Sequence, residues 1–97
     1  MPTYVALLNW TEQGIKNFKD STKRASDARE TMRKAGVDLK DIYWTIGAYD
    51  VACVFDAPDD ETFAAALLRL GSAGMVRTTT MRAFSSGEFD AIVSRTD

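Results

Sequence analysis

Asp41-Ile42-Tyr43-Trp44-Thr45-Ile46-Gly47-Ala48-Tyr49-Asp50-Val51-Ala52-Cys53-Val54-Phe55 reads as two strands folded about one turn. A two-residue loop with glycine first suits a type II′ turn, whose first central position needs φ > 0. With Gly47-Ala48 as that loop, Ile46 faces Tyr49, Thr45 faces Asp50, Trp44 faces Val51 and Tyr43 faces Ala52. Strand alternation then gives the hairpin two faces. Ile42, Trp44, Ile46, Tyr49, Val51, Cys53 and Phe55 make an apolar one. Tyr43, Thr45, Asp50, Ala52, Val54 and Asp56 make a mixed one.

Working outward, Thr3 to Trp10 is apolar on both sides, which predicts a central strand. Thr11 is placed to cap a helix, with Glu12 in its first turn. Ile15, Phe18, Thr22, Ala25, Arg29 and Met32 follow at helical spacing and predict its buried stripe. Asp20-Ser21 offers a break with Ser21 capping the second piece, and Gly36 ends it. After the hairpin, Asp59 caps a second helix whose stripe is Phe63, Ala66, Leu67 and Leu70. Ser85-Ser86-Gly87-Glu88 has the form of a capping box before a short terminal helix. The expected elements are strands at about 3–10, 41–46, 49–56 and 75–84 and helices at about 12–35, 60–70 and 86–94, all in one domain over 1–97. The order is β-α-β-β-α-β with a helical tail, an α+β chain of the split βαβ type. That topology predicts a four-stranded antiparallel sheet with the helices on one face. The other face, with Val5, Leu7, Ala52 and Val54, is too apolar to stand bare in water. A second copy covering it is the economical solution, so a homodimer or a multiple of one is expected.

Composition narrows the chemistry. At 97 residues there is no room for a second core. Net charge is −2 with both signs intermixed, against the basic stripe that nucleic acid requires. No apolar run reaches the roughly 18 residues of a membrane span, and the first residues lack the basic start and apolar core of a signal peptide. Cys53 is the sole cysteine, so no intrachain disulfide forms, and a cytoplasmic location is expected. The chain has no histidine, which removes the commonest general base and the commonest metal ligand together. Catalytic triads and ordinary zinc sites are excluded. No cofactor and no metal are expected.

Gly47-Ala48-Tyr49-Asp50 resembles the Gly-x-Tyr-Asp signature of the GYD domain family. The likeness continues in Thr11-Glu12-Gln13-Gly14, in Ala57-Pro58-Asp59-Asp60 and in Gly74-Met75-Val76-Arg77-Thr78-Thr79-Thr80, and so covers nearly the whole chain. It implies a small stand-alone domain with a ferredoxin-like fold, related to dimeric α/β barrels. The family lends no catalytic residues.

Several groups invite a functional reading. Asp59-Asp60-Glu61 offers oxygen ligands for a hard cation, but acids dressing a helix start are the better reading. Cys53 lies mid-strand on the apolar face without an activating histidine, so burial is the better reading. The basic residues Lys16, Lys19, Lys23, Arg24, Arg29, Arg33 and Lys34 are read as a solvated helix face offset by Asp20, Asp27 and Glu30. Gly71-Ser72-Ala73-Gly74 closes a helix rather than opening one, so it is no phosphate loop. The mixed sheet face remains. Tyr43, Thr45, Asp50, Arg77 and Thr79 are its candidate ligand-binding residues, with Asp50 a candidate proton-transfer group. The competing view is a polar seam inside a dimer.

Three functions follow. The first is a homo-oligomeric module that binds a small organic ligand between sheet and partner. The second is a cofactor-independent enzyme of the monooxygenase or isomerase kind, with Asp50 moving the proton, Tyr43 donating and Arg77 anchoring an anion. The third is an interaction module with no ligand. Fold analogy alone does not choose among them.

Overall fold

Alternation along the first strand builds the molecule from its middle. Tyr4, Ala6 and Leu8 are buried on one side, and Val5, Leu7 and Asn9 are half-buried on the other. The computed structural model describes all of residues 1–97. Its elements are β1 (Thr3–Trp10), α1 (Glu12–Lys16), a 3-10 turn (Phe18–Asp20), α2 (Ser21–Lys34), β2 (Asp38–Trp44), β3 (Val51–Asp56), α3 (Asp60–Ser72), β4 (Val76–Ala83) and α4 (Ser86–Ser94). The four strands form one sheet in the order β2-β3-β1-β4, every pair antiparallel. This is the ferredoxin-like α+β arrangement. α2 packs on β2 and α3 on β4, and the core lies between these helices and the sheet.

The hairpin register is the one its alternation dictates, with Trp44 opposite Val51 and Tyr43 opposite Ala52. Its tip differs from expectation. Strand pairing stops at those residues, and beyond them the Thr45 N–H donates to the Asp50 carbonyl at 2.9 Å. No backbone hydrogen bond joins Ile46 to Tyr49, so no two-residue II′ turn closes. Instead the Thr45 hydroxyl donates to the Tyr49 carbonyl at 2.6 Å, inside a wider loop. Gly47 does take a positive φ of 131°. Ile46, expected on the buried face, is fully exposed at this tip.

Other boundaries move for identifiable reasons. β2 begins at Asp38, three residues earlier than expected, because a register shift between Leu39 and Asp41 breaks its alternation. Leu39 and Ile42 then both reach the core side although they are three apart. The first helical region divides into α1, the turn and α2. Ser21 is not the cap of α2, since its hydroxyl donates to the Phe18 carbonyl at 2.7 Å. The predicted stripe is met at Ala25 and Met32 and missed elsewhere. Ile15 and Phe18 are exposed, and only Met32 of that set is buried. The inward face of α2 carries Ser21, Ala25, Ala28 and Met32, spaced four, three and four apart.

Three caps stand where expected. Thr11 accepts the Gly14 N–H, Asp59 accepts the Thr62 N–H, and Ser85 with Glu88 completes a capping box. Within the acidic cluster, Asp59 is occupied as this cap and Asp60 accepts the Tyr4 hydroxyl.

Candidate functional site

The end of β1 is held by a clamp of backbone groups. The Asp50 carboxylate accepts the Trp10 N–H at 2.9 Å, and the Asp50 N–H donates to the Leu8 carbonyl at 2.8 Å. One residue further on, the Thr11 N–H donates to the Met75 carbonyl at 3.1 Å and its hydroxyl donates to the Gly74 carbonyl at 2.5 Å. Gly14 is buried against this junction, where an added Cβ would sit 2.0 Å from the Met75 carbonyl oxygen. Three separated patches of sequence thus meet at one point: Gly47–Asp50, Thr11–Gly14 and Gly74–Met75. Each serves to fasten β1 between the hairpin and the start of β4.

This geometry decides what the predicted site residues do. Cross-strand partners share a face, so Tyr43, Ala52, Leu7 and Thr79 form one row across the open side of the sheet. Asp41, Val54, Val5 and Met81 form the next. Arg77, opposite Asn9, falls on the same side as Thr79. Tyr43 and Thr79 nevertheless stand on opposite edges, three strand spacings or about 14 Å apart. Thr45 is committed to the Tyr49 carbonyl and Asp50 to the Trp10 N–H. The five residues therefore do not converge within one chain. Tyr43 is largely exposed and Met81 about half exposed beside half-buried Val5, Leu7 and Val54, which makes the open face a broad apolar surface with polar edges.

A cavity lies on the opposite side, beneath α2. It encloses about 280 Å³. Its floor is Leu8, Val51, Cys53 and Phe55; Trp10, Trp44, Leu70, Met75 and Val76 wall it, and Ser21, Ala25 and Ala28 of α2 form the roof. The small α2 side chains leave this space open. Arg24 and Asp27 are its charged members. Arg24 donates to the Asn17 carbonyl at 2.6 Å and faces no carboxylate within ion-pair range, whereas Asp27 lies 3.8 Å from Lys23. Burial pushes the Cys53 thiol up to about 11, opposed in part by Arg29, so the thiol stays protonated and unreactive at neutral pH. No motif in the sequence marks this cleft. Its signal in sequence is the run of small residues at 21, 25 and 28, hidden by the larger side chains at 15 and 18.

The sheet order, the helices on one face and the open second face define a ferredoxin-like α+β domain. The family model of the GYD domain matches residues 4–93, and the chain belongs to that family. A Thermus thermophilus protein named glutamine synthetase and cystathionine beta-lyase binding protein is 33% identical over 84 residues, spanning 86% of this chain and 88% of its own. Among solved structures, TTHA0845 from Thermus thermophilus superposes with a TM-score of 0.56 at 20% identity, over 89% of this chain and 96% of its own. MtbAldR superposes with a TM-score of 0.60 at 19% identity, over 88% of this chain and 53% of its own. These two likenesses establish the shared fold. No group of three or more cysteine or acidic side chains is gathered as a metal cage, and no helix is long and apolar enough to cross a membrane.

Proposed function

We propose that this protein is a self-associating interaction module that docks onto other proteins, in the cytoplasm. The observation that carries the reading is the open sheet face, where Val5, Leu7, Val54 and Met81 form a continuous apolar surface without helices over it. A second copy laid on the same face buries that surface symmetrically. The Thermus relative is named for binding glutamine synthetase and cystathionine beta-lyase, which suggests enzymes as the kind of partner. The glutamine synthetase and cystathionine β-lyase of the protein's own source are the first to try. Sedimentation at micromolar concentration is expected to give a dimer or a multiple of one, and biosensor titration is expected to show binding to at least one enzyme. A monomer that binds neither would end this reading.

A second reading keeps a small organic ligand between the open face and the partner copy, contacted by Tyr43, Arg77 and Thr79. Their polar groups stand at the rims of an apolar floor, as ligand pockets require. Native mass spectrometry of the freshly purified dimer tests it, and a spectrum free of any added mass would remove it. The enzymatic reading has less support, because the carboxylate it needs is already engaged by the Trp10 N–H.

A further inference from the structure

Two apolar surfaces of this chain lack an intrachain partner, and their shapes are opposite. One is convex. α4 contributes no residue to the core, and Phe89 and Val93 are half exposed along one side of it with Ile92 between them. Nine residues are too few to hold a helix in water by themselves, even with a capping box. The radius of gyration is 14.6 Å and the longest extent 51 Å, whereas a compact chain of this length would have a radius of about 12.5 Å. α4 is thus an arm. The other surface is concave, the cleft beneath α2, whose lining is almost wholly apolar and offers few partners to hold water.

We infer that α4 of one copy seats its Phe89–Ile92–Val93 side in the cleft of a second copy. The arm cannot serve its own cleft. It leaves the sheet at Ala83, beside Thr3, whereas β4 contributes to the cleft only at its other end, through Val76 beside Trp10. α3 lies over β4 on the same side, and the linker is only Phe84 and Ser85. Charge favours the same match. α2 holds five basic residues against two acidic ones; at the cleft Arg24 is unpaired and Asp27 lies against Lys23, while α4 has Asp90 free, Glu88 held in its capping box and no basic residue. Opposite potentials across a contact select and orient the partner. Exchange in both directions closes the assembly, since each copy gives one arm and receives one. The inference rests on the self-association reading but uses surfaces separate from the open sheet face.

The test exploits the fact that both tryptophans of the protein, Trp10 and Trp44, line the cleft. In the full chain at micromolar concentration, the amides of residues 86–94 are expected to be protected from hydrogen exchange, and to lose that protection on dilution. The double variant Phe89→Asp/Val93→Asp is expected to reduce it about tenfold or more and to shift tryptophan emission to the red. These side chains lie outside the core, so the variant folds, and circular dichroism checks that it has. Ala28→Phe approaches from the other side by filling the cleft, and is expected to free the arm while α4 itself is unaltered. Wild-type arm amides that exchange at the unprotected rate at every concentration would overturn the inference. So would emission that ignores the arm variant, or a small molecule found bound in the cleft. The edge variant Tyr43→Lys/Met81→Glu separates the two interfaces. If it leaves the mass unchanged while the arm behaves as stated, the sheet-face pairing fails and the arm exchange stands.

Discussion

The two helices that cover the sheet do so in unlike ways. α3 lays large side chains on its half. Phe63 is 2% exposed and stacks on Tyr4 with ring centroids 4.1 Å apart, and Phe55 meets it at 5.2 Å. α2 lays Ser21, Ala25 and Ala28 on the other half, and the result is a cleft of about 280 Å³. Both helices are amphipathic and of similar length, so amphipathicity alone does not make a packed layer. Side-chain volume on the inward stripe decides whether a helix closes a core or roofs a cavity.

The sharpest way to break the contrast is to empty the filled half. Phe63→Ala removes a buried ring with two aromatic neighbours and should cost about 3–5 kcal/mol. Urea denaturation checks this, and a loss below ~1 kcal/mol would mean that the α3 side is as loosely packed as the α2 side. Gly14→Ala comes next. Its Cβ would lie 2.0 Å from a backbone oxygen, which cannot rotate away, so the start of β4 must shift. A loss of about 3 kcal/mol is expected. A variant as stable as the parent would show that the junction is not clamped.

Asp50→Ala should cost about 1–3 kcal/mol, because the half-buried Trp10 N–H loses its acceptor. Asp50→Asn keeps an acceptor oxygen and should recover most of that loss. Equal losses for the two would mean that the charge, rather than the hydrogen bond, holds the end of β1.

These variants also mark what can be read from the chain and what cannot. The register of the hairpin is legible because period-two alternation is strict over 42–44 and 51–55. The caps Thr11, Asp59 and Ser85 are legible because local hydrogen bonding needs only neighbours in sequence. The start of β2 is not, since the register shift beside Lys40 puts Leu39 and Ile42 on one face at a spacing that no alternation allows. The cleft is not legible either. Small residues carry a weak hydrophobic signal, so the stripe drawn by periodicity takes in Ala25 and Met32 of the inward face but also Phe18, Thr22 and Arg29, which are exposed. Asp50 stands opposite Thr45 as the hairpin register predicts, its carbonyl accepting the Thr45 N–H. The partner of its carboxylate, a backbone N–H forty residues away, has no signature in sequence at all.

Raising the pH is a gentler perturbation that touches both halves. Burial, with help from the hydrogen bond to Asp60, pushes the Tyr4 phenol up to about 12 from 10.0, and burial pushes Cys53 up to about 11 from 9.0. Both folded values lie above the unfolded ones, so the folded state favours the neutral forms. The stability this contributes is full below pH 9 and is lost progressively as pH rises, first through the range of Cys53 and then through that of Tyr4. Melting temperatures followed from about pH 8 to 12 should fall in two overlapping steps, and Cys53→Ala should remove the lower one. A flat profile would place both groups in water.

The smallest effect should come from adding volume to the empty half. Ala25 lies on the inward face of α2, over the cleft. Alanine and leucine have nearly equal helix propensity, so Ala25→Leu reports on the space beneath the helix and little else. In a close-packed core such a change costs about 1–3 kcal/mol through strain. Over an apolar cavity it instead buries a side chain where no contact existed, and a gain of about 1 kcal/mol is expected. The sign carries the information. Measured at nanomolar concentration, where self-association contributes least, a gain means that α2 roofs an open cleft in the single chain. A loss above ~1 kcal/mol means that α2 already sits as close to the sheet as α3 does, and the contrast between the two halves dissolves.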